Sequence, residues 1–299
     1  MSDTTHRLGI VTGSAPELTE DGRALADALR DSGNTVEPVV WDDPGAGADP
    51  SALDGLVIRS CWDYHERPAA FREWLAAAER TSTVFNDPEL VRWNVHKFYL
   101  RELREAGVDV LPTAFLESGG DAALGVVLEE RGWTDAVVKP AVGTSSRGVW
   151  RCSGPPGPDE RERFDAALGR TDLLVQAFAP EVHDGELSMV FLGGTFSHAN
   201  RSVPADDDFR NHPDYGNSLE PAAPARDVVA QSRAALTAAA EATDRRPDEI
   251  TYARVDGIVR GGSFRLMELE LVEPYLDLAR HGGAAEQLAE AVVAGLGAD

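Results

Sequence analysis

The stretch Arg265–Leu278, RLMELELVEPYLDL, alternates apolar and acidic side chains: read as a strand, it points Met267, Leu269 and Leu271 to one face and Glu268 and Glu270 to the other. Two carboxylates side by side on a half-buried strand repel each other unless something positive lies between them. Just upstream, ITYARVDGIV (250–259) and Gly261-Gly262 predict a hairpin with this strand, which brings Asp256 to the same acidic face. Three carboxylates converging without a local lysine describe a site for a hard cation, with its remaining positions filled by phosphate and water.

Outward from this hairpin, GELSMVFLGG and TFSHANRSV read as two more strands turning at Gly193-Gly194, followed by a long polar loop from Pro204 to Pro224 and an Ala-rich helix to about Thr243. Nearer the N-terminus, RLGIVTG, NTVEPVV and DGLVIRS alternate with helical patterns near Leu18–Ser32 and from RPAAFREWLAAAE onward, which predicts a parallel, doubly wound layer to about residue 85. NDPELVRWNVHKFYLRELREAG predicts one helix with Asp87 as N-cap, Pro88 at its first turn and Gly107 as C-cap. The expected class is α/β, turning α+β in the C-terminal half. Its expected parts are an N-terminal substrate domain (1–86), a central lid subdomain (87–180) and a C-terminal subdomain with the acidic strand (181–299).

Acidic residues number 51 against 28 basic ones, a formal charge of −23, so broad binding to nucleic acid or an anionic membrane is not expected, and an anionic ligand needs a local cluster of cations. The opening MSDTTHRLGI has no apolar targeting segment and the two cysteines, Cys61 and Cys152, form no motif, so a cytoplasmic protein is expected. Of the basic residues 26 are arginine, and only Lys97 and Lys139 are lysine. Where arginine has replaced lysine almost everywhere else, a role for a compact ammonium explains the two that remain.

Lys139 ends the strand DAVVKP and precedes AVGTSSRG, whose Gly143, Ser145, Ser146 and Gly148 suit a loop closing backbone N–H groups and hydroxyls over phosphate oxygens. Neither a P-loop nor a G-x-G-x-x-G fingerprint is present. In LLVQAFAPEVHDGELSM, Gln176 and Phe178 leave a buried strand where a nucleobase edge can be met, and Glu186 opens the next strand with acceptors for ribose hydroxyls. The polar loop and the strand before it carry Arg201 and Arg210, both able to clamp phosphate or carboxylate, with Arg210 the stronger candidate. IRSCWDYHERP, at the end of an N-terminal strand, gathers Arg59, Asp63 and Tyr64: a guanidinium for a carboxylate and a carboxylate for an ammonium. Ser14, in the turn after the first strand, is a further substrate contact. Alternation puts Glu273 on the opposite face from Glu268 and Glu270 unless the strand bends, and its expected role lies near a substrate amino group.

In this order, the helix lysine, the strand lysine before GTSSRG, the hinge VQAF, the acid Glu186, the loop DFRNHPDYG and the pair RVDG…MELE resemble the ATP-grasp superfamily over nearly the whole chain. The resemblance implies an ATP-grasp fold with a Rossmann-like N-terminal domain. It places Lys97 and Lys139 on the phosphates, Gln176 and Phe178 at adenine, Glu186 on ribose and Arg210 at the transferred phosphoryl group. Asp256, Glu268 and Glu270 would hold two Mg²⁺, with Mn²⁺ as the alternative ion. Most relatives carry Glu-x-Asn where this chain has Glu268-Leu269-Glu270. Within the superfamily, RSCWDY, NDPELVRWNVHK and MELELVEPYL are most similar to D-cycloserine-forming cyclo-ligases, which close O-ureido-D-serine into a ring. An intermolecular ligase using the same ATP site, a kinase releasing a stable phosphorylated product and a nucleotide-binding regulator remain as alternatives.

Overall fold

The apolar run LGIV is buried on both sides because its strand lies inside a parallel sheet, where helices cover both faces. The computed structural model describes residues 5–43, 45–206 and 208–297. β1 (Arg7–Thr12), α1 (Glu20–Asp31), β2 (Thr35–Val40), β3 (Gly55–Ser60), α2 (Pro68–Ala78) and β4 (Thr83–Phe85) form this first layer, its strands parallel in the order β2-β1-β3-β4.

The next segment departs from the expected single helix. It is two short helices, α3 (Pro88–Asn94) and α4 (Tyr99–Glu105), interrupted at Val95–Phe98. Asp87 caps the first, accepting from the Glu89 N–H. The interruption has a tertiary cause: the Lys97 N–H donates to the Ala141 carbonyl at 2.8 Å. A backbone donor taken by a distant strand end cannot serve the helix ladder.

β5 (Thr113–Leu116), α5 (Leu124–Arg131), β6 (Asp135–Pro140), β7 (Trp150–Ser153), α6 (Pro158–Leu168) and β8 (Leu173–Ala177) make a second sheet, antiparallel in the order β5-β8-β6-β7. Both helices pack on one face of it through Leu124, Val127, Leu128, Phe164 and Leu168.

The third sheet comprises β9 (Glu186–Leu192), β10 (Thr195–Val203), β11 (Ser218–Ala222) and, after α7 (Arg226–Ala242), β12 (Tyr252–Arg260) and β13 (Ser263–Glu270). It is antiparallel in the order β11-β10-β9-β12-β13. The loop expected from Pro204 to Pro224 is therefore shorter, because Ser218–Ala222 pairs with β10. The last helix, α8 (Ala284–Leu296), returns to the first layer and shares a core with α1 through Leu25, Leu29, Leu288 and Val292.

β13 is an edge strand, and its outward backbone groups are satisfied by neighbours rather than left open. Asn94 donates to the Leu269 carbonyl and accepts from the Leu271 N–H at 2.9 and 2.8 Å. The Tyr99 hydroxyl donates to the Leu269 carbonyl at 2.7 Å and accepts from the Leu269 N–H at 2.9 Å. The two helices around Lys97 thus grip the acidic strand directly. Tyr252 joins the first layer to the third sheet: its hydroxyl is 2.8 Å from the Ile58 carbonyl, 2.9 Å from that of Phe85 and 3.0 Å from that of Val272.

Candidate active site

Asp256 and Glu268 are direct partners across β12 and β13, and Arg254 is the partner of Glu270. The pairing shifts by one residue between Asp256 and Gly257, and a Cβ at Gly257 would stand 2.2 Å from the Arg265 carbonyl oxygen. Only glycine permits that close approach, which sets the register that puts the carboxylates on one face.

The positive groups are three. Lys97 Nζ is 2.7 Å from Glu268 Oε1, Lys139 Nζ is 3.8 Å from Glu268 Oε2, and Arg254 lies 3.0 Å from Asp256 and 2.8 Å from Glu270. Burial by itself would push the Glu268 carboxyl up, but the two lysines outweigh it and hold the group below the ordinary glutamate range. For Lys97 burial works the other way and the Glu268 carboxylate overcomes it, so the ammonium is held above its usual value. Lys139, buried and beside Lys97, falls below its usual value. Glu270 and Glu186 are pushed up to about 7, first by burial and then with Asp256 opposing both. The face is short of positive charge.

Lys97 also donates to the Gly143 carbonyl at 2.8 Å, so the interrupted helix positions the Gly/Ser loop as well as the acidic strand. These groups line one cleft of about 880 Å³ in which all three sheets take part. Gly143, Ser145, Ser146, Gln176, Phe178, Glu186 and Arg210 all line it. Gly148 does not, and instead supplies a left-handed turn (φ 72°) at the end of the loop. Gln176 donates to the Thr113 hydroxyl at 3.0 Å, while the Phe178 ring lies 3.6 Å beneath the Arg151 guanidinium and its N–H donates to the Asp135 carbonyl. Glu186 accepts from Asn211 at 2.9 Å, and Arg210 is paired with Asp208 at 2.6 Å and stacked over Tyr215.

At the N-terminal end, Ser14, Asp63, Tyr64 and Glu273 line the same cleft. Asp63 accepts from the Trp41 indole at 3.0 Å and from Arg67 at 3.3 Å. Glu273 corrects the expectation from alternation. β13 ends at Glu270, the chain turns, and the Glu273 side chain reaches the cleft with 8% of its surface exposed. Burial and then Glu270 hold this carboxyl well above its usual value.

Two arginines are not where sequence reasoning put them. Arg59 is 2% exposed and outside the cleft: its guanidinium donates to Asp21 at 2.8 Å and to the Pro274 carbonyl at 2.5 Å, over the Tyr252 ring. Asp21 also accepts from the Leu276 and Leu278 N–H groups, so Arg59 pins the chain after β13 rather than facing a substrate carboxylate. Arg201 is exposed and lies against Gly185, because alternation on β10 turns Ser202 into the cleft and its neighbour outward.

Arg254 is a cleft residue absent from the candidates named from the sequence. It stands two positions before Asp256 on one strand, hence on the same face, and that spacing was the available signal. Among the described residues no three His, Cys, Asp or Glu side chains form a ready cation cage. Three carboxylates only partly neutralised by lysine and arginine, facing an open cleft, fit an ion that arrives with phosphates, since Mg²⁺ takes few protein carboxylates and fills the rest from phosphate and water.

Residues 8–86 match the family model for the N-terminal domain of D-cycloserine synthetase DcsG. The chain is 29% identical over 297 residues to the cycloserine biosynthesis protein DcsG of Streptomyces lavendulae, covering 95% of this chain and 97% of that one. The crystal structure of D-cycloserine synthetase DcsG superposes with a TM-score of 0.87 at 27% identity, over 97% of this chain and 99% of the other. The ATP-grasp ligase PsnB complexed with minimal precursor, Mg and ADP superposes with a TM-score of 0.63 over 97% of this chain and 98% of the other, at 16% identity, a likeness of fold alone. With two lysines and an arginine converging on an acidic strand, the chain is a DcsG-like, ATP-dependent ligase with the ATP-grasp fold.

Proposed function

We propose that the chain closes O-ureido-D-serine into D-cycloserine at the expense of ATP, in the cytoplasm. The observation that carries the reading is the meeting of Lys97, Lys139 and Arg254 on the Glu268, Glu270 and Asp256 carboxylates at one end of a cleft whose other end is small, acidic and hydroxylated. Likeness to DcsG over nearly the full length of both chains supports the substrate.

A carboxylate is inert to amines at neutral pH, so it is first activated as an acyl phosphate, and the substrate's own nitrogen then displaces phosphate. Lys97 and Lys139 take the nucleotide phosphates and Arg210 the transferred phosphoryl group, once it leaves Asp208. Gln176 and Phe178 hold adenine and Glu186 the ribose, with Gly143, Ser145, Ser146 and Gly148 shaping the phosphate loop. Asp256, Glu268 and Glu270 hold two Mg²⁺ or Mn²⁺, which offset the charge on the phosphates. Ser14, Asp63, Tyr64 and Glu273 receive the amino acid. In this division residues 1–86 hold substrate, 87–180 form the lid and 181–299 carry the metal strand. The ureido carbamoyl group, absent from the ring, is lost by hydrolysis: one water adds to its carbonyl, the bond from that carbon to the ring nitrogen breaks with a proton passing to the nitrogen, and the carbamate so formed falls to carbon dioxide and ammonia.

Incubation with ATP, Mg²⁺ and O-ureido-D-serine alone tests the reading: ADP and a cyclic product are expected together. ADP only after a second amine is added would make the chain an intermolecular ligase, and background ADP across all amino acids a regulator.

A further inference from the structure

We propose that Thr144 latches the Gly143–Gly148 loop to the substrate end of the cleft, and that this latch decides whether an activated carboxyl closes its ring or is lost to water. The inference rests on the acyl-phosphate reading above and deepens it. Thr144 Oγ1 donates to the Trp62 carbonyl at 2.8 Å and lies 3.1 Å from His65 Nδ1, which is itself 2.8 Å from the same carbonyl. With the proton on Nδ1, that single N–H is shared between the Trp62 carbonyl and Thr144 Oγ1, while the threonine hydroxyl donates to the same carbonyl. Three residues further on, Arg147 pairs with Glu66 at 2.6 Å, but these side chains are 62% and 55% exposed, so solvent screens the pair. Thr144, which meets a backbone carbonyl and an imidazole at once, is the more directional contact.

Trp62 is held from the other side as well: its indole Nε1 donates to the Glu273 carbonyl at 3.1 Å. One residue thus joins the loop from the second sheet to the chain leaving the acidic strand. Trp62 is 38% exposed and lines the cleft. The loop also carries Ser145 and Ser146 in left-handed backbone, φ 52° and 55°. Side-chain-bearing residues keep that conformation only when their surroundings impose it, and the Thr144 contact fixes the loop immediately before them.

What the latch protects is a branch point. In the productive branch the substrate nitrogen bonds to the acyl carbon, the carbon–oxygen bond to phosphate breaks, phosphate leaves with the electron pair and the nitrogen's proton passes to it. In the competing branch a water oxygen forms that bond and regenerates the carboxylate, so the same ADP and phosphate appear with no ring. Closing the mouth over the substrate favours the first.

Two measurements on the full chain decide the matter. In amide hydrogen exchange without substrate, Thr144→Ala is expected to speed exchange in both 62–66 and 143–148, and Thr144→Ser to restore wild-type protection; unchanged exchange, or a change confined to 143–148, overturns the latch. In turnover with ATP, Mg²⁺ and O-ureido-D-serine, Thr144→Ala is expected to keep forming ADP while making several ADP per ring where the wild type makes about one, with Thr144→Ser close to wild type. A wild-type ratio in Thr144→Ala overturns the latch, and so does loss of ADP formation, which would put Thr144 in phosphoryl transfer itself. A wild-type chain that forms no ring overturns the proposed reaction instead, while hydrogen exchange still decides the latch.

Discussion

Lys97 Nζ lies 2.7 Å from Glu268 Oε1 because a helix stops where its lysine is needed. The break between α3 and α4 hands the Lys97 N–H to Ala141 and turns its ammonium toward both Gly143 and Glu268. Glu268→Gln keeps the volume and removes the charge. It is expected to lower ADP release at least about a hundredfold, the scale of losing one contact to developing charge. Lys139→Ala should have a comparable effect on turnover. Circular dichroism should show both variants folded, and wild-type rates in either would defeat the site assignment.

Arg59 and Arg201 should separate stability from activity. Arg59→Met leaves Asp21 buried with only two backbone donors, and breaking such a pair costs roughly 3–5 kcal/mol. A lowered urea midpoint is the expected result. Arg201→Ala removes an exposed side chain outside the cleft and should change neither the midpoint nor ADP release. A large loss of turnover in Arg201→Ala with unchanged stability would return that residue to the site.

Much of this site was legible because strand alternation is a local rule. Glu268 and Glu270 share a face with period two, Asp256 meets them through one hairpin, and Lys139 sits at a strand end before its loop. What was not legible depends on partners far along the chain. Nothing near Arg59 in sequence announces Asp21 or the Pro274 carbonyl, so a polar strand end that is a buried clasp has the local pattern of a binding group. The helix break at Val95–Phe98 is set by the Ala141 carbonyl, and Glu273 reaches the cleft only because β13 stops at Glu270. Arg254 differs: its spacing to Asp256 was readable.

Arg254 should behave as a counter-ion for the acidic face. It bridges Asp256 and Glu270, and these carboxylates hold the guanidinium above its ordinary value despite burial. Arg254→Met removes the positive charge while keeping much of the bulk. It is expected to lower the apoprotein's thermal midpoint, and Mg²⁺ with ATP should recover part of the loss by supplying cations to the same carboxylates. A midpoint that ignores Mg²⁺ and ATP in both variant and wild type would mean that the acidic face does not bind the ion.

Glu273 is expected to make stability depend on pH in a direction opposite to a salt-bridged acid. Burial, then Glu270, hold its folded-state carboxyl well above 4.5. Between 4.5 and that raised value the folded chain keeps a proton that the unfolded chain has lost. Its contribution is therefore fully present below 4.5 and is lost as pH rises through the window, each unit of difference corresponding to ~1.4 kcal/mol. Glu273→Gln, which cannot ionise, should raise the thermal midpoint at pH 8 and leave it nearly unchanged at pH 5, flattening the fall expected of the wild type. Equal shifts at both values would mean that the carboxyl is already ionised at pH 5, and that a cationic partner holds it in the cleft.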